Sequence, residues 1–469
     1  MKVIIVGAGV AGLSAYLQLK KLLPKSTLED IRIYESHRGQ PPVTGEANQH
    51  QVLETEPAAL TDSATVVGNI IALTPTTLRL LRYIDEGLYY LFQSRGYQNE
   101  TYRFRTARGH SLATTATDDG RSPREYTVSC PRAMLRDCLL EIVGENNVKY
   151  RKVVAVHLNN GAKPIVRFAD GREESADLVL GADGVRSVVK EAIFEPAGDA
   201  TLLSPHYEQG SSISLGPVRD SAASAAFFQY TTSRLRFDII RASYSPLARP
   251  GHSANYSAAP EEQGILGWWS NWGQPDIPQK NVMDPNEIRQ QLRNRHGAWQ
   301  DPVIQHILEN PSTNRVYPIW TTANLPFWSA HGAVLLGDAA HTLPATSGQG
   351  AGQALGDSVV FCFLLASYLD RPATESKDAD FESQAIQLAA KGLYDIQAPG
   401  VVAIKRQSRN LYLTDKKIEN IFFEYIYYLY LYVLIRIPIL ARLILGTVFS
   451  PPDEADLEEQ VQRYLKQVD

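Results

Sequence analysis

Three glycine-rich segments in this 469-residue chain have residue types and spacings that could hold a diphosphate and its sugars. They are Gly7-Ala8-Gly9-Val10-Ala11-Gly12, then Gly181-Ala182-Asp183-Gly184-Val185-Arg186-Ser187, and last Gly337-Asp338-Ala339-Ala340-His341, which runs on into Gly348-Gln349-Gly350-Ala351-Gly352. In the first, Gly7 permits a tight turn, Gly9 lets the backbone approach a pyrophosphate, and Gly12 lets a helix pack closely on a strand. Free N–H groups and the helix dipole then meet the anion, and no side chain is needed. Glu35 follows Gly12 by 23 residues. A carboxylate there would accept from the two hydroxyls of an adenosine ribose and repel a 2′-phosphate, so the held dinucleotide is expected to be FAD or NAD rather than NADP.

These residues need elements to hold them, and the hydrophobic pattern supplies candidates. Val3-Ile4-Ile5-Val6 reads as a short buried strand, Leu13 to Leu23 as a helix ended by Pro24, and Ile31 to Tyr34 as a second strand leading to Glu35. Leu178 to Leu180 and Ala333 to Leu336 are further strands, each ending at a glycine segment, and a helix is expected from Gln353 to Leu369. The polar stretch from Glu35 to about Ser63 carries no period and reads either as a surface loop gating the bound group or as a disordered insertion. Thr74 and Pro75 start an amphipathic helix, and Arg132 to Val143 is helical. From about Val188 to Pro326 the pattern becomes aromatic strands between Pro/Ser/Gly loops, so a nucleotide-binding domain is interrupted by an inserted sheet.

Composition narrows the function class. A net charge of -5 with no Lys/Arg-rich tract argues against a nucleic-acid partner. Cys130, Cys138 and Cys362 are the only cysteines, without metal-ligand spacing or a disulfide framework, so no metal is expected and a reducing, cytoplasmic compartment fits. The apolar first residues are broken by three glycines and read as strand and turn, not as a signal peptide.

In this order and separation, the three segments resemble the single-component (class A) flavoprotein monooxygenases of the p-hydroxybenzoate hydroxylase type, over roughly residues 1 to 370. The resemblance extends to fungal secondary-metabolism members. It implies an α/β fold: a Rossmann-like FAD-binding domain interrupted by a mixed β-sheet substrate domain, with a helical C-terminal region. The expected division is 1–68, 101–187 and 327–370 for FAD, 69–100 and 188–326 for substrate, and 371–469 for the C-terminal helices. Bound FAD is implied, with NADPH or NADH as co-substrate and O2 adding at flavin carbon 4a to give a hydroperoxide that oxidises an electron-rich ring or alkene. The cofactor-binding residues carried over are Gly7, Gly9, Gly12, Glu35, Gly68, Arg132, Asp183, Asp338, Gly350 and Ala351. Asp338 would accept from ribityl or ribose hydroxyls, and the backbone from Gly348 to Gly352 would face the flavin's pyrimidine edge.

The chain departs from the pattern after the second segment, where several fungal relatives carry an arginine and this sequence reads His206-Tyr207-Glu208-Gln209-Gly210-Ser211. Arg236, Arg241, His206 and Tyr207 are the weak catalytic candidates, each more readily a structural residue, and His341 fits a structural role in its turn. Otherwise the substrate is nucleophilic without deprotonation, as an indole or alkene is. The alternatives are a flavin-dependent halogenase, a non-oxygenating FAD reductase or cyclase, and a catalytically inactive flavin-binding adaptor. Residues 421–449 are apolar and tyrosine-rich but hold Glu424, Arg436, Pro438 and Arg442, with an uncharged run of only 11 residues from Tyr425 to Ile435. They read either as helices packed on the protein or as a peripheral contact with the cytosolic face of an internal membrane.

Overall fold

The computed structural model describes residues 1–37, 70–105, 110–195, 200–203, 206–220, 226–232, 239–248, 253–254, 257–258, 264–273, 285–300, 302–309, 317–344, 347–371, 379–413, 421–437 and 454–468. Gly68, Arg236, the body of the candidate gating loop and all of 438–449 lie outside them.

The cofactor half is built on six strands: β1 (Lys2–Val6), β2 (Asp30–Glu35), β3 (Val148–Tyr150), β4 (Leu178–Gly181), β5 (Ser329–Ala330) and β6 (Ala333–Leu335). Their order is β5-β6-β4-β1-β2-β3, with every pair parallel except the β5–β6 edge. Val3, Ile4, Ile5, Leu178, Val179, Leu180, Ala333, Val334 and Leu335 are all fully buried. Such continuous apolar runs are what a parallel sheet covered on both faces demands. The helices around it are α1 (Val10–Leu22), α2 (Arg132–Val143), α3 (Val188–Phe194), α4 (Gly350–Leu369) and α5 (Ala379–Leu413), whereas α6 (Ile421–Arg436) lies against strand Ser111–Ala116 of a second sheet and α7 (Glu454–Val468) lies outside α4 and α5. Helix α4 packs along α1 and α5, and α7 packs on α4 and α5. Ser358 Oγ donates to Ala11 O at 2.9 Å, which closes the α1–α4 contact. Through Ala385, Ile386, Ala389, Ala390 and Leu393, helix α5 completes the same core.

A second sheet has seven strands in the order 317–321, 206–220, 264–273, 239–248, 226–232, 101–105 and 111–116. It holds the four aromatic strands expected from the sequence. It also corrects the expected boundaries. Strands Thr101–Arg105 and Ser111–Ala116, placed by sequence with the FAD domain, pair into this sheet through Tyr102↔Ala226 and Phe104↔Phe228. The helices Pro75–Ile84 and Glu86–Arg95, placed by sequence with the substrate sheet, pack on α2 and α4, with Leu78, Leu81, Leu88 and Phe92 in the cofactor-domain core. The misplacement has a physical cause: an alternating strand reveals which of its faces is apolar but not which distant strand it pairs with.

Candidate functional site

The parallel register brings the glycine segments together. Val6 lies opposite both Tyr34 and Gly181, and Gly181 lies opposite Leu335. Gly7, Glu35, Ala182 and Gly337 therefore leave the sheet at one edge, the carboxyl ends of adjacent strands, where open α/β sheets bind ligands. Short backbone bonds fix them there: Gly7 N to Tyr34 O (2.8 Å), Ala182 N to Val6 O (2.8 Å) and Leu336 N to Gly181 O (2.9 Å).

In the first turn, two glycines are packed and one is open. A Cβ on Gly7, whose φ is +102°, would stand 2.4 Å from Ala182 O, and one on Gly12 would stand 2.0 Å from Gly7 O. A Cβ on Gly9 would meet nothing closer than Ala182 O at 3.9 Å. Gly9 is also the N-cap of α1, which has no side-chain cap bond and no acidic residue in its first turn. A helix N-terminus left uncapped by side chains offers its first N–H groups to an anion. Glu35 Oε2 accepts from Ala8 N at 2.8 Å, and Oε1 accepts from His37 N and Ser36 Oγ, each at 3.1 Å. The carboxylate thus stands beside the turn. Behind the turn, the buried Arg136 donates from Nε to Ala8 O at 3.1 Å.

The third segment leaves the sheet at the same carboxyl end. Asp338 and Arg132 are each about 40% exposed, with Arg132 Nη2 3.9 Å from Asp338 Oδ2. Arg132 is the first residue of α2. Gly350 is the first residue of α4, and Ala351, half-buried, is the next; the N-cap Gln349 makes no side-chain cap bond. A Cβ on Gly348 or Gly350 would meet nothing within 4 Å. The open faces at Gly9, Gly348 and Gly350, against the filled ones at Gly7 and Gly12, form a cradle whose donors fit a dinucleotide carrying a ring system.

The second segment is arranged differently. Asp183 Oδ2 accepts from Val188 N at 2.8 Å and its Oδ1 is enclosed without a partner, so the carboxylate serves the N-terminus of α3. Burial pushes its pKa up to about 6 despite the stabilising hydrogen bonds. Ser187 caps the same helix by accepting from Lys190 N, while Lys190 Nζ donates to Val185 O at 2.8 Å. The segment shapes its loop from within.

Of the catalytic candidates, Arg236 lies outside the described residues and the other three occupy two strands of the seven-stranded sheet. Arg241 lies opposite Tyr230 and Asn271, and Asn271 lies opposite Ser212, which puts Arg241 and Ser212 in one row of the seven-stranded sheet. His206 and Tyr207 lie opposite Thr321 and Trp320, at the start of the strand that carries Ser212, with a register shift between Tyr207 and Ser211.

Sequence reasoning missed two residues. Arg136 is one turn beyond Arg132 on α2, an i,i+4 pairing that could have drawn notice. Asp357 is fully buried and stands as the lone charge in the apolar helix α4, which was itself a signal. Its Oδ2 accepts from Gly337 N at 2.8 Å and bonds His341 Nε2 at 2.6 Å. Burial works against the imidazolium, but the adjacent Asp357 carboxylate outweighs it and holds His341 above its ordinary value.

The family model described as "FAD binding domain" matches residues 62–392. The chain belongs to this family, that of the class A FAD-dependent monooxygenases. Its cofactor is FAD. The match begins beyond the first glycine turn, whose assignment rests on its own geometry. Among curated relatives, aurachin C monooxygenase/isomerase of Stigmatella aurantiaca is 29% identical over 52% of this chain and 57% of that protein. The chloroplastic zeaxanthin epoxidase of Nicotiana plumbaginifolia is 25% identical over 82% of this chain and 51% of that one. The chain thus spans little more than half the length of these two, whereas it covers 81% of the FAD-dependent urate hydroxylase of Mycolicibacterium vanbaalenii at 24% identity. Klebsiella pneumoniae HpxO, solved with FAD and uric acid, shares the fold at a TM-score of 0.67, with 18% identity over 96% of this chain and 97% of that one.

Proposed function

We propose that this chain is an NAD(P)H- and O2-consuming monooxygenase that hydroxylates or epoxidises a lipophilic, electron-rich aromatic, indole or alkene intermediate of secondary metabolism. The observation that carries this reading is the open space beside Gly9, Gly348 and Gly350 at one end of the sheet, with the half-exposed Arg132 and Asp338 3.9 Å apart. In this reading the N-terminus of α1 holds the pyrophosphate, Glu35 accepts from the adenosine ribose, Asp338 accepts from ribityl or ribose hydroxyls, and Arg132 steadies that carboxylate. The N–H groups opening α4 at Gly350 and Ala351 face the pyrimidine edge and stabilise negative charge there. Bound FAD supplies the redox and oxygen-transfer chemistry; the protein supplies position, polarity and exclusion of water. The printed names of relatives include both hydroxylases and an epoxidase, which supports this range of reactions.

The deciding experiment is O2 uptake coupled to NADPH or NADH oxidation, with and without a panel of aromatic and alkene compounds. Substrate-stimulated uptake with an oxygenated product is expected. A chloride-dependent product would replace the proposal with halogenation, and nicotinamide oxidation yielding a non-oxygenated product would replace it with a reductase or cyclase.

A peripheral lipid contact through 421–449 is the second part of the proposal. It is supported by α6, on which Phe422, Tyr425, Ile426, Leu429, Tyr430 and Val433 are 45–65% exposed. These positions fall on one side of the helix, and tyrosines among aliphatic side chains suit the headgroup boundary. The one described helix long and apolar enough to cross a membrane is α4, and most of it is buried in the core.

A further inference from the structure

We infer that the buried pair His341–Asp357 is a positioning device for the flavin nucleotide, holding the Asp338 turn and the N-terminus of α4 in one fixed relation. The inference rests on FAD as the cofactor, and neither residue is offered as a catalytic group.

The geometry follows from what each atom must satisfy. Gly337 leaves the sheet with φ +58°, and a Cβ there would press on Ala11 and Ala354 at 3.2 Å each. The turn is therefore wedged between α1 and α4. Its N–H would be an unpaired donor at the centre of that wedge, but Asp357, two turns into α4, accepts it. The same Oδ2 also bonds His341, four residues further along the turn. One oxygen thus grips both ends of the Gly337–His341 segment, and Asp338 lies between the two grips. The pair is almost wholly excluded from water, at 2% and 0% exposure. Side chains so enclosed cannot touch a ligand in the open cradle, so their influence on it must pass through the backbone they hold.

The adjacent Ser358 bonds Ala11 O, just behind the first glycine turn. Two successive residues of α4 therefore tie together the third segment and the helix of the first. A charged pair there is costly to bury. An apolar α4 would pack equally well against α1 and α5, so packing alone does not account for the charge, whereas fixing the height of Asp338 against Arg132 and Gly350 does.

The test uses the full-length holoprotein and reads FAD dissociation, the visible circular dichroism of the bound flavin, and thermal unfolding. Asp357→Ala and His341→Phe should each raise the FAD Kd about tenfold or more and change the visible dichroism. His341→Gln keeps an N–H donor at similar reach and should stay within about threefold of the native Kd. Leu88→Ala, a buried substitution in the helix Glu86–Arg95, should lower the melting temperature comparably yet leave the Kd unchanged. Where Asp357→Ala gives no folded protein, Asp357→Asn is read in the same way. Native Kd and dichroism in the pair variants would overturn the inference, as would a Kd for Leu88→Ala raised as far as theirs. Failure of the unaltered protein to bind FAD would instead overturn the cofactor assignment, so the two failures are distinguishable.

Discussion

The first and third glycine segments lie at the same sheet edge but are held in opposite ways. The first is self-contained at Gly12, whose Cβ position is filled by Gly7 O of the same turn, whereas Gly7 meets Ala182 O and Ala8 is bonded by Glu35 and Arg136 from elsewhere in the chain. The third is held from a distance, since its turn depends on Asp357, a residue from the middle of the following helix. A contiguous βα unit can pack its last glycine backbone against backbone, and here the charges of Glu35 and Arg136 only brace the one residue between Gly7 and Gly9. A turn that must carry an exposed carboxylate between two helices needs a buried one to hold it.

The largest expected effect tests the self-contained side. Gly12→Val would drive a side chain into Gly7 O, and the expected outcome is no soluble yellow protein, at a cost above about 4 kcal/mol; soluble yield and the ratio of flavin to protein absorbance report it. Gly350→Val is the contrasting case, because its Cβ points into open space. The apoprotein should melt within about 1 kcal/mol of native while FAD affinity falls about a hundredfold or more, measured by calorimetric titration. Equal damage to the apoprotein in both variants would break the comparison. Glu35→Ala removes a charge-assisted acceptor and should weaken FAD binding about tenfold to a hundredfold by the same titration.

Asp183 tests the middle segment through pH. Its folded pKa of about 6 lies above the ~3.9 of an unfolded aspartate, so the native state binds more protons between those values. Stability should therefore fall as pH rises from about 4 to 6, by about 2 kcal/mol, and stay lower above that. Asp183→Asn cannot ionise and should lose this step in urea titrations run across the range. The smallest effect on stability is expected on α6: Leu429→Ser should change unfolding free energy by less than about 0.5 kcal/mol, because Leu429 is 61% exposed. It should still reduce co-sedimentation with phosphatidylserine-containing vesicles; unaltered sedimentation would count against the lipid contact.

Much of the cofactor domain was legible because its signals are local. A strand, a glycine turn, a helix and an acid at the next strand's end are all read within the first 35 residues, and the structure sets them side by side. Arg132 and Asp338 were chosen for resemblance and are neighbours at 3.9 Å. Legibility failed wherever the partner was remote. Strand Thr101–Arg105 joins the seven-stranded sheet because Tyr102 pairs with Ala226, which no periodicity near residue 102 could reveal. Asp183, carried over by resemblance, has a local partner instead: its carboxylate accepts from Val188 N at the start of the next helix.

By itself, the sequence determined where β1, β4 and β6 end and that a glycine segment stands at each of those ends, since hydrophobic period and backbone freedom are properties of adjacent residues. Tertiary structure alone decided that these ends share one edge, that Asp357 grips the Asp338 turn, and that strand 264–273 stands between the strand of Arg241 and that of His206 and Tyr207. The physical reason is the same in each case: pairing register and buried charge are satisfied by groups distant along the chain, and their energies exist only once the chain has closed on itself.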